Sequence, residues 1–560
     1  TDNAKQQPFV LTLTLDDPKI GFSGLREQVA KIYKELSEKI VPLDEIAKSL
    51  QEKKSLEKPP ALFTVSFEHS SSDGSHKTLG ESGVEGSRRD VALYFDVEDG
   101  SIDVLYNSLL YKKARMEAFA EQFSKVRDTV SKKADDAVSS ISLVTETQKK
   151  VLPDPKRDLD FSNFRGAIQD IFSDNAAKFP ERECVVETAS KLDPSSHGRT
   201  FNYKQIDQSS NVVAHYLIAN GIKRGDIVTI YAYRGVDLVV AVMGVLKAGA
   251  AFSVIDPAYP PARQNIYLRV ADPRGIIVIR KAGVINQMVE DYISNELHVV
   301  ARIDGLEMQD DGTIVGSEVG KSTENVLEPF YGKKATRPNV LVGPDSAPTL
   351  SFTSGSEGVP KGVLGRHFSL AYYFPWMAKQ FGLSEKDRFT MLSGIAHDPI
   401  QRDMFTPLFL GAKLLVPTTD DIGTPGQLAQ WMSEHGATVT HLTPAMGQLL
   451  SADATAEIPS LHHAFFVGDI LTKRDCLRLQ TLAANCAIVN MYGTTETQRA
   501  VSFFEIPSRE TDSGFLETQK DVIPAGSGMQ NVQLVVVNRD QPSETCGVGE
   551  VGEIYVRAGG

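Results

Sequence analysis

Residues 350–367 read LSFTSGSEGVPKGVLGRH and form the most informative stretch of the chain. The hydroxyl residues in it are Thr353, Ser354 and Ser356, and the glycines are Gly355, Gly358 and Gly362. Such a glycine-rich backbone can approach phosphate oxygens closely, and Lys361 adds a mobile positive charge. The stretch is not a Walker loop, because Lys361 follows Pro360 rather than a glycine. By itself it predicts either a phosphate-binding loop or an ordinary Gly/Ser turn.

On both sides of this loop, short β-rich runs alternate with helical patterns from about residue 162 onward. DIVTIYAY (226–233) and GIIVIR (275–280) are typical strands, and SSNVVAHYLIANG (209–221) is a typical helix between strands. This alternation predicts an α/β fold with parallel sheets flanked by helices. Residues 304–338 are polar and irregular, and they predict a surface insertion.

The first 150 residues predict a separate lobe of mixed α/β structure. Apolar residues recur at helical spacing between Leu25 and Leu36, and VALYFDV (91–97) alternates like a strand, as does ALFTVSF (61–67). Residues 70–90 have almost no apolar side chains and predict a loop, and residues 112–134 predict an amphipathic helix. The resulting domain prediction is a lobe at 1–150, a linker at 151–161 and a second domain at 162–560.

Composition sets limits on the class of protein. A chain of 560 residues is long enough for two to four domains, and 41% hydrophobic with 23% charged residues is typical of a soluble protein. A net charge of -13 argues against a broad nucleic-acid surface, which needs clustered positive charge. The four cysteines are widely spaced, without a C-x-x-C pair, and no apolar run is long enough to span a bilayer. We therefore expect a cytoplasmic enzyme or scaffold without disulfides or a zinc site.

Five further motifs follow a family order around the loop. They are FNYKQID (201–207), LKAGAAFSVIDPAYPPAR (246–263), AHDPIQRDMF (396–405), NMYGTTET (490–497) and GEVGEIYVRAGG (549–560). Together with the loop they resemble the adenylate-forming superfamily, specifically the adenylation domains of nonribosomal peptide synthetases, over about residues 162–560. Glu357 stands where the family usually has threonine. The resemblance implies the large N-terminal subdomain of that fold and activation of a carboxylic acid by ATP.

The resemblance also implies roles for individual residues around ATP and AMP. Tyr492 would stack on adenine and Asn490 would bond its exocyclic amine. The catalytic set would be Thr353, Lys361, His397 and Glu496, with Glu496 as the Mg²⁺ ligand. The nucleotide-binding set would be Thr353, Ser354, Gly355, Ser356, Glu357, Gly358, Lys361, Gly468, Asp469, Asn490, Met491, Tyr492, Gly493, Thr494 and Thr495.

Family alignment also selects the side chains of the acid pocket. They are Asp398, Pro399, Arg402, His441, Phe465, Val467, Met491, Arg499 and Ala500. Asp398 is the usual partner of a substrate ammonium. Two arginines are unusual in a mostly apolar pocket and need an anion to offset their desolvation, unless one of them extends to solvent. An ammonium site and an anion site, in addition to the reacting carboxyl, predict an amino dicarboxylic acid.

The pocket residues and their flanking segments resemble the fungal L-2-aminoadipate reductases. That family activates the C6 carboxyl of L-2-aminoadipate, transfers it to a phosphopantetheine thiol and reduces it with NADPH to the semialdehyde on the route to lysine. The resemblance implies carrier and reductase domains in cis, and a phosphopantetheinyl transferase as a partner.

Two departures from these family patterns affect the expected activity. The sequence given ends at Gly560, before the family's ribose-binding aspartate and C-terminal catalytic lysine, so we expect these 560 residues to adenylate slowly at best. Residues 1–150 resemble the C-terminal half of a condensation domain without its H-H-x-x-x-D-G motif, which predicts a structural lobe.

Two other functions remain open on the sequence alone. One is a peptide-synthetase module that loads an acidic amino acid through its α-carboxyl. The other is a nucleotide-binding regulatory or scaffold protein, against which the phosphate and magnesium motifs argue.

Overall fold

The computed structural model of the chain describes residues 20–36, 65–70, 90–96, 101–160, 162, 164–193, 196–317, 324–353 and 360–559. The chain divides into two compact units. Unit 1 comprises residues 1–157 and 535–555, and unit 2 comprises residues 158–534 and 556–560. Residues 535–555, which the sequence analysis placed with the second domain, thus cluster with the first part of the chain.

Unit 1 combines a small sheet with helices. Its elements before residue 157 are α1 (Phe22–Leu36), β1 (Val65–Ser70), β2 (Val91–Asp96), β3 (Ile102–Tyr106), α2 (Lys113–Lys132) and α3 (Glu146–Lys149). Strand β2 pairs parallel with β1 and antiparallel with β3. The helices predicted from Leu25 and over 112–134 are confirmed, as is the strand at 91–97. The loop predicted at 70–90 lies outside the described residues except at its two ends.

Within unit 1, two hydrogen bonds connect residues 535–555 to the first part of the chain. The Gln122 side chain donates to the Val548 carbonyl at 3.1 Å, and the Val548 amide donates to Gln148 Oε1 at 3.2 Å. Two strands, β20 (Gln533–Val537) and β21 (Glu553–Arg557), form a two-stranded sheet that belongs mostly to this unit. Both glutamines are buried, so these bonds are shielded from water.

The first half of unit 2 builds the predicted strand and helix alternation. Its elements are α4 (Ile168–Lys178), β4 (Glu183–Glu187), β5 (Arg199–Asn202), α5 (Tyr203–Ala219), β6 (Ile227–Tyr231), α6 (Val236–Lys247), β7 (Ala251–Ile255), α7 (Pro261–Ala271), β8 (Gly275–Ile279), α8 (Gln287–Glu296), β9 (Ala301–Met308) and β10 (Ile314–Ser317). A five-stranded sheet has the order β10-β9-β8-β6-β7, parallel except for β10. Every residue of α6 is buried, as its continuous apolar run predicts.

The second half of unit 2 adds a larger sheet. Its elements are β11 (Leu350–Thr353), β12 (Lys361–Leu364), α9 (His367–Phe381), β13 (Arg388–Thr390), α10 (Pro399–Leu410), β14 (Lys413–Val416), α11 (Thr419–Gly423), α12 (Gln427–Glu434), β15 (Val439–Leu442), α13 (Pro444–Ser451), β16 (His463–Phe466), α14 (Lys473–Leu482), β17 (Ala487–Gly493), β18 (Ala500–Ile506) and β19 (Ser527–Gly528). The nine-stranded order is β19-β18-β17-β16-β15-β13-β14-β4-β5, with a parallel centre from β17 to β4. The α/β prediction with parallel sheets is confirmed.

The prediction of an irregular surface insertion at 304–338 is wrong for its first part, because residues 304–308 and 314–317 belong to β9 and β10. Strand β9 pairs parallel with β8 and antiparallel with β10, which extends the five-stranded sheet. Leu306, Met308 and Ile314 are fully or almost fully buried. Polar residues alternate with these apolar ones along β9 and β10. In the sequence alone, without the neighbouring strands, this alternation resembles a polar loop.

A large apolar core joins the helices to the two sheets of unit 2. Phe252 of β7 packs edge-on against Phe405 of α10, with ring centroids 6.1 Å apart. Among the helices that the structure describes, none is both long and apolar enough to cross a membrane.

Candidate functional site

A cavity of about 410 Å³ opens in unit 2 at the carboxyl ends of parallel strands. Its walls come from the residues that follow β13, β15, β16 and β17, and from the first turn of α10. In α/β sheets, ligands bind beyond the carboxyl ends of the strands, because helices begin and loops converge there. The lining residues are Phe352, Leu392, Ser393, Gly394, His397, Asp398, Pro399, Arg402, His441, Thr443, Met446, Val467, Gly468, Gly493, Thr494, Thr495, Gln498, Arg499 and Ala500.

Both predicted arginines are buried at this cavity. Arg402 is 7% exposed and Arg499 is 6% exposed, so neither side chain extends to solvent. Among the described residues, Arg402 Nη1 and Arg499 Nε have no hydrogen-bond partner. Burial lowers the pKa of Arg499 to about 9, a shift that the negative charge of Asp398 opposes. Arg499 therefore keeps its positive charge at neutral pH.

An unpaired negative charge lines the same cavity. Asp398 precedes α10, and its Oδ2 atom is buried without a hydrogen-bond partner in the described part of the chain. Its Oδ1 accepts one long bond, 3.5 Å, from the side-chain amide of Gln401. A buried carboxylate oxygen without a partner is costly, so this atom is available to a cationic ligand group.

His441 completes the polar wall as a neutral ring. It is 1% exposed, and its two ring nitrogens have no hydrogen-bond partner within the described ranges. Burial lowers the pKa of His441, although the neighbouring carboxylate of Asp403 opposes that effect. The Asp403 Oδ1 atom lies 3.3 Å from His441 Nδ1 without the alignment of a hydrogen bond. Asp403 is instead held by the amides of Leu392 and Ser393, each at 2.8 Å.

Two predicted acid-pocket residues do not line the cavity. Phe465 is fully buried behind His441, with ring centroids 5.4 Å apart. Met491 is also buried, and its sulfur accepts a hydrogen bond from the Tyr373 hydroxyl at 3.5 Å. Both support the wall rather than form its surface. Pro399, Val467 and Ala500 line the cavity as predicted.

The predicted phosphate loop is described only at its two ends. Residues 354–359, which include Ser354, Gly355, Ser356, Glu357 and Gly358, lie outside the described residues. Thr353 ends β11 and Lys361 begins β12, and the two residues are partners in the antiparallel register. Lys361 is exposed, and Thr353 is half-buried. The structure therefore places these two predicted residues opposite each other at the base of the loop.

The predicted adenine-binding residues surround the end of β17. Tyr492 is 37% exposed, so one part of its ring is open to a ligand. The side chain of Asn490 donates to the carbonyls of Ile523 and Pro524, at 3.3 and 2.9 Å. Its Oδ1 accepts no hydrogen bond from described residues, so an exocyclic amine could donate to it. Gly493 leaves no room for a side chain, since a Cβ there would lie 2.5 Å from the Arg499 carbonyl.

Glu496 lies in an exposed turn beside the cavity. Reciprocal bonds between Thr494 and Thr497, at 3.0 and 3.3 Å, brace that turn. His397 and Asp469 are also exposed, and Asp469 is adjacent to Gly468, which has a left-handed φ of 99°. Of the predicted nucleotide-side residues, His397, Asp469 and Glu496 thus lie exposed, whereas Asn490 and Met491 are buried on β17.

Several lining residues were not predicted from the sequence. They are Phe352, Leu392, Ser393, Gly394, Thr443, Met446 and Gln498. Most of them follow β13 or β15, two strands that the sequence analysis did not predict, so the usual position of ligands beyond strand ends gave no signal there. Gln498, which has a left-handed φ of 59°, also gave no such signal.

The chain matches the family model described as AMP-binding enzyme over residues 172–560. It is 60% identical over 523 residues to the L-2-aminoadipate reductase of Saccharomyces cerevisiae, an alignment that covers 92% of this chain and 37% of that protein. It is 58% identical over 552 residues to the L-2-aminoadipate reductase large subunit of Candida glabrata, covering 98% and 39%. The chain therefore spans about two fifths of the length of these curated relatives.

Solved structures share the fold at low sequence identity. A four-domain nonribosomal peptide synthetase bound to AMP and glycine superposes with a TM-score of 0.72 and 18% identity, covering 97% of this chain and 38% of that one. The N-terminal subdomain of Klebsiella oxytoca NpsA superposes with a TM-score of 0.52 and 21% identity, covering 70% and 87%. These matches show the adenylation-domain fold, in agreement with the motif order.

Proposed function

This chain belongs to the AMP-binding enzyme family, and we propose that its pocket activates L-2-aminoadipate as an acyl-adenylate. One observation carries the proposal. Five buried polar atoms of Asp398, Arg402, His441 and Arg499 have no hydrogen-bond partner among the described residues, and all four side chains line one cavity. Isolated buried charges are costly, so a ligand that pairs with them gains much of its affinity there.

The signs of these charges match an amino dicarboxylic acid. The carboxylate of Asp398 pairs with an ammonium group, and the two guanidinium groups pair with a carboxylate, which arginine can bind through two parallel hydrogen bonds. The second carboxylate of the substrate remains to react. Its oxygen attacks the α-phosphorus of ATP, a new P–O bond forms, and pyrophosphate leaves with the electron pair of the broken bond.

The arrangement of the charges favours reaction at the C6 carboxyl. The Asp398 carboxylate and the Arg499 guanidinium both contact the side-chain amide of Gln401, so the ammonium and anion sites are neighbours. In an α-amino acid, the ammonium and the C1 carboxylate sit on the same carbon. A substrate that places both groups there directs its C6 carboxyl away from the arginines.

A magnesium ion fits the residues at the mouth of the cavity. No cluster of three carboxylate, imidazole or thiol side chains occurs in the ranges that the structure describes. Mg²⁺ is commonly bound by one or two carboxylates, with substrate phosphates and water as its other ligands. The exposed carboxylate of Glu496 would supply the protein's ligand. The ion would neutralise charge on the phosphates, and Lys361 and Thr353 would hold the same phosphates from the loop.

We also propose the wider reaction of the protein from which these residues come. Its curated relatives are named L-2-aminoadipate reductases, and they extend well beyond the matched region. The adenylate would pass to a phosphopantetheine thiol on a carrier domain in cis, which a phosphopantetheinyl transferase modifies. An NADPH-dependent reductase domain would then release 2-aminoadipate 6-semialdehyde for lysine biosynthesis.

Substrate-dependent ATP–pyrophosphate exchange by the intact native protein tests the activation step. L-2-aminoadipate should support faster exchange than glutamate, adipate or norleucine. Monoesters of aminoadipate then identify the reacting group, because esterification at C6 should abolish exchange, whereas the C1 ester should retain some. The reverse pattern would favour a peptide-synthetase module acting on the α-carboxyl, and no exchange with any acid would contradict the proposal.

A further inference from the structure

Gln401 joins three parts of the site although it does not itself line the cavity. It is 3% exposed on α10, one turn after Asp398 and directly before Arg402. Residues three apart on a helix lie on the same face, so the amide of Gln401 falls beside the carboxylate of Asp398. A buried amide must find partners for both its oxygen and its nitrogen.

The partners of Gln401 determine how its amide is oriented. Its Oε1 accepts from Arg499 Nη1 and Nη2, each at 3.4 Å. Its Nε2 donates to Ser351 Oγ at 3.2 Å and to Asp398 Oδ1 at 3.5 Å. The opposite orientation would place N–H groups against a guanidinium, which has only donors. Ser351 lies on β11, the strand that leads into the phosphate loop, and so anchors the amide.

The amide separates two opposite charges that attract each other. Asp398 and Arg499 both contact the amide of Gln401, and the negative charge of Asp398 opposes the fall in the pKa of Arg499 that burial causes. In a buried site such an attraction is strong. If no group lay between them, the carboxylate and the guanidinium could close into a direct ion pair. The carboxylate and the guanidinium would then bind each other, and neither would be available to bind a substrate.

We propose that Gln401 is a positioning residue that keeps Asp398 and Arg499 apart and open for the substrate. The amide gives each charge one weak partner, at 3.4 to 3.5 Å, and Asp398 Oδ2 and Arg499 Nε have no hydrogen-bond partner in the part of the chain that the structure describes. A bound amino acid replaces the missing ion pair with its own ammonium and carboxylate. This role rests on the proposed function, since it assigns both charges to the substrate.

The test replaces the amide of Gln401 with an apolar group and keeps the side chain at a similar length. In Gln401→Met the charges should pair directly, so the KM for L-2-aminoadipate in ATP–pyrophosphate exchange should rise about tenfold to a hundredfold, as expected for lost hydrogen bonds to charged groups. The KM for ATP should stay within about twofold, because the effect passes through Asp398 and Arg499 and both belong to the acid side. The thermal midpoint of the ligand-free protein should not fall. Gln401→Leu serves as the second variant if Gln401→Met does not fold.

Gln480→Met is the matched control. Gln480 is 4% exposed on α14, and its amide donates to the carbonyls of Cys486 and Pro507, at 3.2 and 2.8 Å, without lining the cavity. Its loss should lower the thermal midpoint and leave both KM values unchanged.

An unchanged KM for aminoadipate in Gln401→Met would overturn the spacer role. So would a joint rise of both KM values with a lower midpoint, since that pattern indicates general structural damage. Wild-type protein that does not respond to aminoadipate would instead overturn the proposed function, and the role of Gln401 with it.

Discussion

Thr353 and Lys361 face each other across the antiparallel strands β11 and β12. This register places a threonine and a lysine on opposite sides of the base of the predicted phosphate loop. Because the two strands fix the backbone of both residues, a phosphate bound there would meet a positive charge carried by an ordered backbone. Preorganised charge of this kind is more effective than a charge that must be ordered during the reaction.

Lys361→Met should therefore slow adenylate formation by about a hundredfold, the usual effect of losing one charge-stabilising donor. The affinity for the acid should hardly change, because Lys361 does not line the acid cavity. Lys379→Met, an exposed change on α9, is the control. Single-turnover formation of the adenylate is the measurement, and a normal rate would remove Lys361 from the mechanism.

Glu496→Gln should also reduce adenylation by about a hundredfold while the fold stays intact. The substitution keeps the size of the side chain and removes the charge that would bind Mg²⁺. Raising the magnesium concentration should recover part of the rate. Glu505→Gln, on the exposed face of β18, should behave like the wild type. If Glu496→Gln turned over normally, the metal ligand would lie elsewhere.

Arg402→Met and Arg499→Met should each lower kcat/KM for L-2-aminoadipate by about two to four decades. Breaking one partner of a buried ion pair typically costs about 3–5 kcal/mol. A neutral acid of similar length should lose far less, since it has no carboxylate for the arginines. Exchange kinetics with both acids provide the comparison. Variants that still preferred aminoadipate over its uncharged analogues would place the anion site elsewhere.

Asp237→Asn should change how the stability of unit 2 depends on pH. Burial raises the pKa of Asp237 to about 6, whereas an unfolded chain has a value of about 3.9. Between these values the folded chain keeps a proton that the unfolded chain releases, so the stability from this group is present below pH 4 and is lost as pH rises through 6. Asparagine has no such titration and can still accept the bond from the Met308 amide, which is 2.7 Å in the wild type.

The free energy of unfolding of the wild type minus that of Asp237→Asn should fall by up to about 3 kcal/mol between pH 4 and pH 6, and then level off. Denaturant titrations of both proteins over this range measure the difference. A difference that does not change with pH would show that the carboxyl group titrates alike in both states.

Deleting residues 1–150 should leave the preference for acids unchanged, because every residue that lines the cavity belongs to unit 2. The deletion should nevertheless loosen residues 535–555, because Gln122 and Gln148, which bond to Val548, are removed. Limited proteolysis should then cut within 535–555, at sites protected in the longer chain. A changed substrate preference would mean that unit 1 shapes the pocket.

Much of the site was predictable because the position of a residue within a family motif indicates which part of the site it occupies. Arg402 and Arg499 stand at pocket positions of the motifs, and the structure places both at one cavity with Asp398. The contacts of Gln401 and Gln498 were not predictable, because both depend on strands and loops that meet only in the folded chain. Gln498 accepts bonds from the Arg366 amide and the Ser369 hydroxyl, more than a hundred residues away in sequence.

The parallel strands were equally predictable, and the edge of their sheet was not. Strands β6, β7 and β8 are apolar runs that are buried almost throughout. Such short continuous apolar runs are typical of parallel sheets that are covered on both faces, so these strands could be recognised from the sequence. Strand β9 lies farther out and mixes Asp304 and Glu307 with its buried residues, so its sequence resembles a loop. Strand β9 lies between β8 and the edge strand β10, and its polar residues hide it from reasoning based on composition alone.

The buried charges of the pocket should also determine which wrong acids it activates. An acid that lacks the second carboxylate leaves both arginines buried without an anionic partner, and sites built around such groups reject the wrong analogue by factors of about 10⁴ or more. Glutamate keeps every charge and is only one methylene shorter, a difference worth roughly 10- to 200-fold. Fidelity should therefore be high against uncharged mimics and weakest against glutamate. Any proofreading that the pathway needs would then act on chain length rather than on charge.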